Sequence, residues 1–151
     1  MLSYLYNERE EVRYMSNVLV VYWTATGNTQ AMALKVAEGA NADLKEISEI
    51  SAEDALKYEK IAFGCPAMGD TFEEAEEFLE WYLQVEPGLE GKKIAIFGSF
   101  GWGSGEWMED WTDRVGQTTA ILFEEALMAN EAPSSDDEDL CVAFGQRFAQ
   151  F

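Results

Sequence analysis

Histidine is absent from this 151-residue chain, which removes both the commonest general base and the commonest metal ligand. Triads built on histidine and histidine-containing zinc sites are therefore excluded. Positive charge is also scarce: 10 Lys and Arg stand against 29 Asp and Glu, for a formal net charge of −19. Nucleic acids and anionic membranes recruit a basic face, so neither is an expected partner. Only two cysteines occur, Cys65 and Cys141, far apart and in no metal-binding spacing. They read as buried, reduced thiols of a cytoplasmic protein, with a disulfide as the alternative. No apolar run approaches the ~18 residues of a membrane span. The opening MLSYLYNEREEVRY lacks the apolar stretch of a secretory signal.

What is present is a core-forming balance, 48% hydrophobic and 13% aromatic, in about one domain's worth of chain. Val18–Trp23 (VLVVYW) is continuously apolar, as a strand covered by helices on both faces is. Further strands are expected at Leu44–Ile47, near a sheet edge because it carries Lys45 and Glu46, and at Ile61–Phe63, Ile94–Phe97 and Ala120–Phe123. Helices are expected between them. One covers Gln30–Ala40, and Ser51 with Asp54 suits a capped helical turn. Phe72, Ala75, Phe78, Leu79, Tyr82 and Leu83 form an apolar stripe that stops before Pro87-Gly88, and Trp107, Trp111 and Val115 stripe another helix. A last helix, Asp136–Gln150, turns Leu140, Phe144 and Phe148 inward and sets Asp136–Asp139 at its positive end. Strands and helices alternate five times without a linker or repeat. This predicts one α/β doubly wound domain whose first two strands are parallel across a crossover helix. Such sheets bind ligands at the carboxyl ends of their strands. Three of those ends carry unusual loops, at 24–29, 65–71 and 98–105.

In the first loop Thr24, Ala25, Thr26, Gly27, Asn28 and Thr29 lead from a buried strand into a helix, whose unpaired N–H groups and dipole suit an anion. The loop contains no Lys or Arg, and the first cation onward is Lys35, so a phosphate held by neutral donors points to a bound cofactor rather than a transferred phosphoryl group. Neither GxxxxGK[ST] nor GxGxxG is present. The same residues also read as a Thr-rich turn that merely caps a helix. Met68-Gly69-Asp70 reads as an ordinary turn. Phe100-Gly101-Trp102-Gly103, however, sets a tryptophan between glycines, where local packing supports it poorly. Opposite Met68, it would sandwich a planar aromatic ring. Simple surface packing is the alternative.

The segments YWTATGNT (22–29), GCPAMGD (64–70), FGSFGWGSGEWM (97–108) and NEAP (130–133) follow in order on successive strand ends. With them, the stretch from Met15 to Phe151 resembles the short-chain flavodoxins, especially the clostridial type. The resemblance implies a five-stranded parallel sheet of order 2-1-3-4-5 with helices on both faces. It also implies bound FMN and a low-potential carrier that shuttles single electrons between redox proteins through the three oxidation states of the flavin. On the matching positions, 24–29 would cradle the phosphate, Pro66, Ala67, Ser99 and Asn130 would lie near the ribityl chain, and Met68 and Trp102 would cover the ring faces. Gly69, Asp70, Thr71, Phe100, Gly101 and Gly103 complete the implied cofactor-binding set. The Gly69–Asp70 peptide would reorient on one-electron reduction, which glycine permits because both signs of φ cost it little. Two departures stand out: Thr71 replaces the Glu that contacts the flavin N3 in clostridial relatives, and Ala25 replaces a frequent Gly. Thr118–Ala132 leaves no room for the insertion that splits the fifth strand of long-chain relatives.

Between Lys60 and Lys92 no basic residue occurs, while Asp70, Glu73, Glu74, Glu76, Glu77, Glu80, Glu86 and Glu90 do. A solvated helix face is one account of the run. The other is that it disfavours a second electron on an anionic reduced flavin and attracts basic docking faces of redox partners. The expectation is a non-enzymatic, monomeric, cytoplasmic carrier with no metal. The alternative is an FMN-dependent quinone or nitro reductase, which would need a substrate pocket above the ring. A flavin-free interaction module would not need both loops. A phosphoacceptor domain is excluded because strand three ends in Gly64-Cys65, not Asp. Residues 1–14 are expected to stand outside the 15–151 domain. They read as a translated leader, since Arg9-Glu10-Glu11-Val12 can be encoded by a purine-rich ribosome-binding sequence before Met15, or else as a helical extension.

Overall fold

The structure is a computed structural model and describes residues 2–6 and 12–151. Strands β1 (Leu2–Tyr6) and β2 (Val12–Ser16) pair antiparallel as a separate two-stranded sheet, so this segment is strand where a helical extension was one expectation. Met1 and residues 7–11 of the expected 1–14 extension lie outside the described residues.

The main sheet begins with β3 (Val18–Tyr22), buried at every position. Then follow α1 (Asn28–Ala40), β4 (Asp43–Glu46), α2 (Ala52–Ala55), β5 (Lys60–Gly64), α3 (Glu76–Val85), β6 (Lys93–Phe100), α4 (Glu106–Gly116), β7 (Ile121–Leu122), β8 (Leu127–Asn130) and α5 (Ser135–Gln150). The strands lie parallel in the order β4-β3-β5-β6-β7, with β8 also paired to β6. This is the 2-1-3-4-5 order, with its fifth place shared by two short segments. The Phe123 N–H still donates to the Ile94 carbonyl at 2.8 Å, after which Glu124 turns out of the sheet at φ 46°. Arg147 of α5 holds that carboxylate through two bonds of 2.9 and 3.0 Å. The strand expected at 120–123 is thus interrupted and resumes at 127–130, where Glu124 leaves the sheet for an arginine on α5.

The unbroken apolar run of β3 has a simple cause. Leu19 and Val21 point to one core, with α3 and α4, while Val18, Val20 and Tyr22 point to the other, with α1 and α5. Alternate residues face opposite sides of a strand, so a doubly covered strand has no polar face. The α3/α4 core is aromatic: Phe72 stacks on Trp111 with centroids 4.5 Å apart and planes at 11°, and Tyr82 meets both edge-on. On α5 the inward residues are Cys141, Phe144, Gly145 and Phe148. Leu140, expected inward, is 56% exposed, because it lies roughly 100° around the helix from Cys141. Leu83 is likewise 47% exposed; Trp81 is buried on α3 instead, its indole N–H donating to the Ile50 carbonyl at 2.9 Å.

Both cysteines are free and buried, as expected of reduced thiols. Burial pushes the Cys65 thiol well up, and lifts Cys141 to about 12 with help from Asp137 and Glu138. Basic side chains gather at the amino end of the sheet. Buried Lys60 donates to the Phe148 and Ala149 carbonyls (3.3 and 2.9 Å) and so caps the end of α5, while Lys93 donates to Phe151 O at 2.8 Å. The opposite end, where the three unusual loops emerge, has no Lys or Arg in 24–29, 65–71 or 98–105.

Helices α1 and α5 approach so closely that a Cβ on Gly145 would overlap the Val36 carbonyl and the Ala40 amide. Gly145→Ala is expected to cost ~1–3 kcal/mol, lowering Tm by roughly 2–12 °C. Gly116→Ala, where a Cβ meets nothing within 4 Å, is the control and is expected to be neutral or mildly stabilising. Calorimetry of the two variants checks both.

Candidate functional site

Adjacency in the sheet brings the loops together. Tyr22, Gly64 and Phe97 are register partners across β3, β5 and β6, so the segments that follow them leave the sheet side by side. Hydrogen bonds carry the pairing past the strand ends: the N–H groups of Trp23, Cys65 and Ala67 donate to the carbonyls of Gly64, Phe97 and Ser99 at 3.0, 3.0 and 2.9 Å. Asn130 enters the same rim because β8 pairs it with Phe100, and the Glu131 N–H donates to the Phe100 carbonyl at 2.7 Å. All the residues singled out in the sequence therefore lie at one end of one sheet.

The first turn of α1 is left open. Its N-cap, Gly27, has φ 95°, a left-handed conformation that glycine adopts without steric cost. No side chain caps the helix, because the Thr24 hydroxyl instead accepts the Gly27 N–H at 2.9 Å. Acids occupy the first turns of α3 (Glu76, Glu77), α4 (Glu106, Glu109) and α5 (Asp136, Asp137, Glu138), yet none occupies that of α1. In so acidic a chain, the one long helix start without a carboxylate is the one whose positive end remains available. Ala25 and Thr26 are exposed at its mouth, whereas Thr29 is fully buried. The Thr29 hydroxyl pairs with the Ser99 hydroxyl at 2.9 Å and accepts the Ser99 N–H at 3.3 Å, which ties α1 to β6. Two hydroxyl protons share that one contact, so one proton remains to donate elsewhere.

Beside this end stand two large apolar side chains that the core does not absorb: Met68, 46% exposed, and Trp102, 62% exposed. The Met68 loop is firm at both ends. The Trp107 indole N–H donates to the Cys65 carbonyl at 3.2 Å, and the Phe72 N–H donates to Asp110 of α4 at 2.9 Å. Thr71 donates its N–H to Glu74 Oε2 at 2.9 Å. Among the described residues, no hydrogen bond engages the backbone of Met68, Gly69 or Asp70. Across the gap, Glu106 clamps Ser104 through its N–H and its hydroxyl, which holds the Glu106 carboxyl below its usual range.

Glu74, Glu106, Trp107 and Asp110 are the supporting residues that sequence reasoning missed. Thr71-x-x-Glu74 does match the capping-box pattern and could have been read. Glu106 acts on Ser104 two residues away, outside that pattern, while Trp107 and Asp110 act across the fold and leave no local signal. The acidic run is also less uniform than its sequence implies. Arg114 of α4 reaches back to Glu86 (2.7 and 2.9 Å) and Glu73 (3.0 Å), and Glu77 accepts the Trp23 indole N–H at 2.7 Å. Glu86 is the main reason that the Arg114 pKa is raised.

A doubly wound parallel sheet with an open helix end and two exposed apolar side chains at its carboxyl edge defines a binder of a phosphorylated, planar ligand. The chain matches the Flavodoxin family over residues 20–145. It is 34% identical over 135 residues to a flavodoxin of Clostridium beijerinckii, covering 86% of this chain and 97% of that one. It is 37% identical over 138 residues to a flavodoxin of Megasphaera elsdenii, covering 88% and 98%. The solution structure of the two-electron reduced Megasphaera elsdenii flavodoxin superimposes with a TM-score of 0.76 at 36% identity, over 89% of this chain and 99% of that one. The chain belongs to the flavodoxin family, whose cofactor is FMN. The residues present fit that group: an uncapped helix end for a phosphate, and exposed Met68 and Trp102 for an aromatic ring.

Thr29→Val keeps the side chain's shape but strands the buried hydroxyl and N–H of Ser99. It is expected to cost ~1–3 kcal/mol in the flavin-free protein. Thr26→Val, at an exposed position, should stay within ~0.5 kcal/mol. Urea midpoints of the two variants measure the difference.

Proposed function

We propose that this flavodoxin carries single electrons at low potential between redox proteins, with FMN held at the carboxyl end of its sheet. One observation carries the assignment of the site: the acid-free, uncapped start of α1 shares a sheet end with exposed Met68 and Trp102. When bound, FMN supplies one-electron chemistry in two successive steps. Residues 24–29 hold its phosphate through backbone N–H groups and the Thr26 hydroxyl, with the surplus proton of the Thr29–Ser99 pair as a further donor. Pro66, Ala67, Ser99 and Asn130 line the ribityl chain. Met68 and Trp102 cover the ring and exclude water from its faces, which also leaves no room above it for a quinone or nitro substrate. Gly69, Asp70, Thr71, Phe100, Gly101 and Gly103 form the rim.

The acids nearby then act by Coulomb's law. One carboxylate ~10 Å from the ring opposes added negative charge by roughly 0.4–1.7 kcal/mol at effective dielectrics of ~80 down to ~20. Asp70, Glu76 and Glu80 are exposed and make no ion pair among the described residues, so their charge is available both to the ring and to a basic partner face. Glu73 and Glu86 are compensated by Arg114 and contribute less. Among the described residues no helix is long and apolar enough to cross a membrane. The proposed carrier is a monomer that works in the cytoplasm.

Purified protein is expected to bind one FMN and to be yellow. Thr26→Ala should raise the FMN dissociation constant roughly tenfold to a hundredfold, since a hydrogen bond to a charged group contributes ~1.5–3 kcal/mol. Riboflavin, which lacks the phosphate, should bind both proteins alike, and fluorescence quenching titrations with the two flavins measure this. Neutralising Asp70, Glu76 and Glu80 together (to Asn, Gln and Gln) should slow electron transfer to a basic partner in about 0.1 M salt. The difference from wild type should close near 1 M, where the Debye length falls from ~10 to ~3 Å. Stopped-flow rates at both salts provide the check.

A further inference from the structure

Thr71 donates both its N–H and its hydroxyl to one oxygen of Glu74, at 2.9 and 3.3 Å. That carboxylate also lies directly against Gly69: a Cβ built there would overlap all three of its atoms. The φ of Gly69 is outside the left-handed region, which among the described glycines is occupied by Gly27, Gly91, Gly103 and Gly105. In this conformation, then, the space a side chain at position 69 would take is filled by the Glu74 carboxylate, which a Cβ there would displace. The surrounding segment is fixed independently. Ala67 is bonded to Ser99, the Phe72 N–H to Asp110, and Glu73 to Arg114. Between those anchors, Glu74 supplies the one side-chain acceptor that reaches the turn among the described residues.

We propose that Glu74 is a positioning residue, a latch that holds the 68–71 turn, with its carboxylate seated in the space that Gly69 leaves beside it. The proposal rests on the reading that this turn borders the FMN ring. It goes further by naming the group that sets the turn's conformational balance. A carboxylate bound to a backbone N–H is a charge-assisted bond, stronger than a neutral one. Besides the Glu74 N–H donating to the Thr71 carbonyl at 3.3 Å, it is what holds this exposed turn among the described residues.

A double-mutant cycle with Gly69→Ala and Glu74→Ala tests the latch, with Glu74→Gln as the conservative variant that retains an acceptor. Two quantities are measured: amide exchange at Asp70 and Thr71 in the flavin-free protein, and the ratio of the equilibrium constants for the two one-electron steps in the FMN-loaded protein. Glu74→Ala should speed Thr71 exchange about tenfold, and Glu74→Gln less. Gly69→Ala should do the same by evicting the carboxylate, and the double variant should go no further than either single one. The redox ratio should follow the same non-additive pattern. Effects that multiply would show that residue 69 acts through its own backbone alone and would overturn the proposal. So would an unchanged Thr71 amide in Glu74→Ala, or an exchange response without movement of the redox ratio, which confines Glu74 to capping the turn. If the wild-type protein binds no FMN, the functional reading fails, while the exchange cycle still decides whether the latch exists.

Discussion

The site depends on parallel pairing carried past the end of β5, at Ser99 of β6. Its carbonyl accepts the Ala67 N–H, its N–H reaches the Thr29 hydroxyl, and its own hydroxyl closes the pair with Thr29. One buried residue of β6 thereby joins the start of α1 to the loop after β5. Parallel neighbours all end at the same edge, so three loops far apart in sequence meet without any of them being long. Buried polar groups are costly unless satisfied, and this junction satisfies its members with one another. The start of α1 and the loop after β5 are consequently held at a fixed separation.

Charge is divided along the axis of the sheet. Lys60 and Lys93 are spent at the amino end on carbonyls at the end of α5 and beyond, and Arg114 and Arg147 are spent on carboxylates that tie one element to another. What remains at the carboxyl end is a set of neutral donors surrounded by acids. A phosphate can bind there only through oriented N–H and O–H groups and the α1 dipole. On the proposed function, electrons delivered there would enter a negative environment, which disfavours accumulating charge and favours passing it on. Binding and redox bias thus come from the same exclusion of cations.

Rigidity is distributed unevenly around the rim. The segments flanking Met68-Gly69-Asp70 are anchored to β6 and α4, and Phe72 stacks on Trp111 within the core. The three residues between them are without backbone hydrogen bonds among those described, and a short, solvent-facing turn of this kind opens at little cost. A change of conformation there is confined to a few dihedrals and does not propagate into the sheet.

Much of this was legible in the residues themselves. Periodicity located the strands and helices, because a doubly covered strand must be apolar throughout and a helix on a sheet must be apolar on one stripe. The order of loop motifs identified the family. Local pattern went wrong where a neighbour in space intervened. Leu140 and Leu83 face solvent because Cys141 and Trp81 take the core positions, and the fifth strand breaks because Arg147 draws Glu124 out of the sheet. The partners of Thr29, Phe72 and Glu73 were equally invisible, since Ser99, Asp110 and Arg114 lie dozens of residues away and meet them only once the sheet is assembled. The sequence by itself determined which segments become strands and helices and what chemistry their ends carry, because those depend on spacing along the chain. Which hydroxyls are tied down, which acids are neutralised and which turn stays loose was decided only by tertiary structure, because each depends on a contact that chain spacing does not encode.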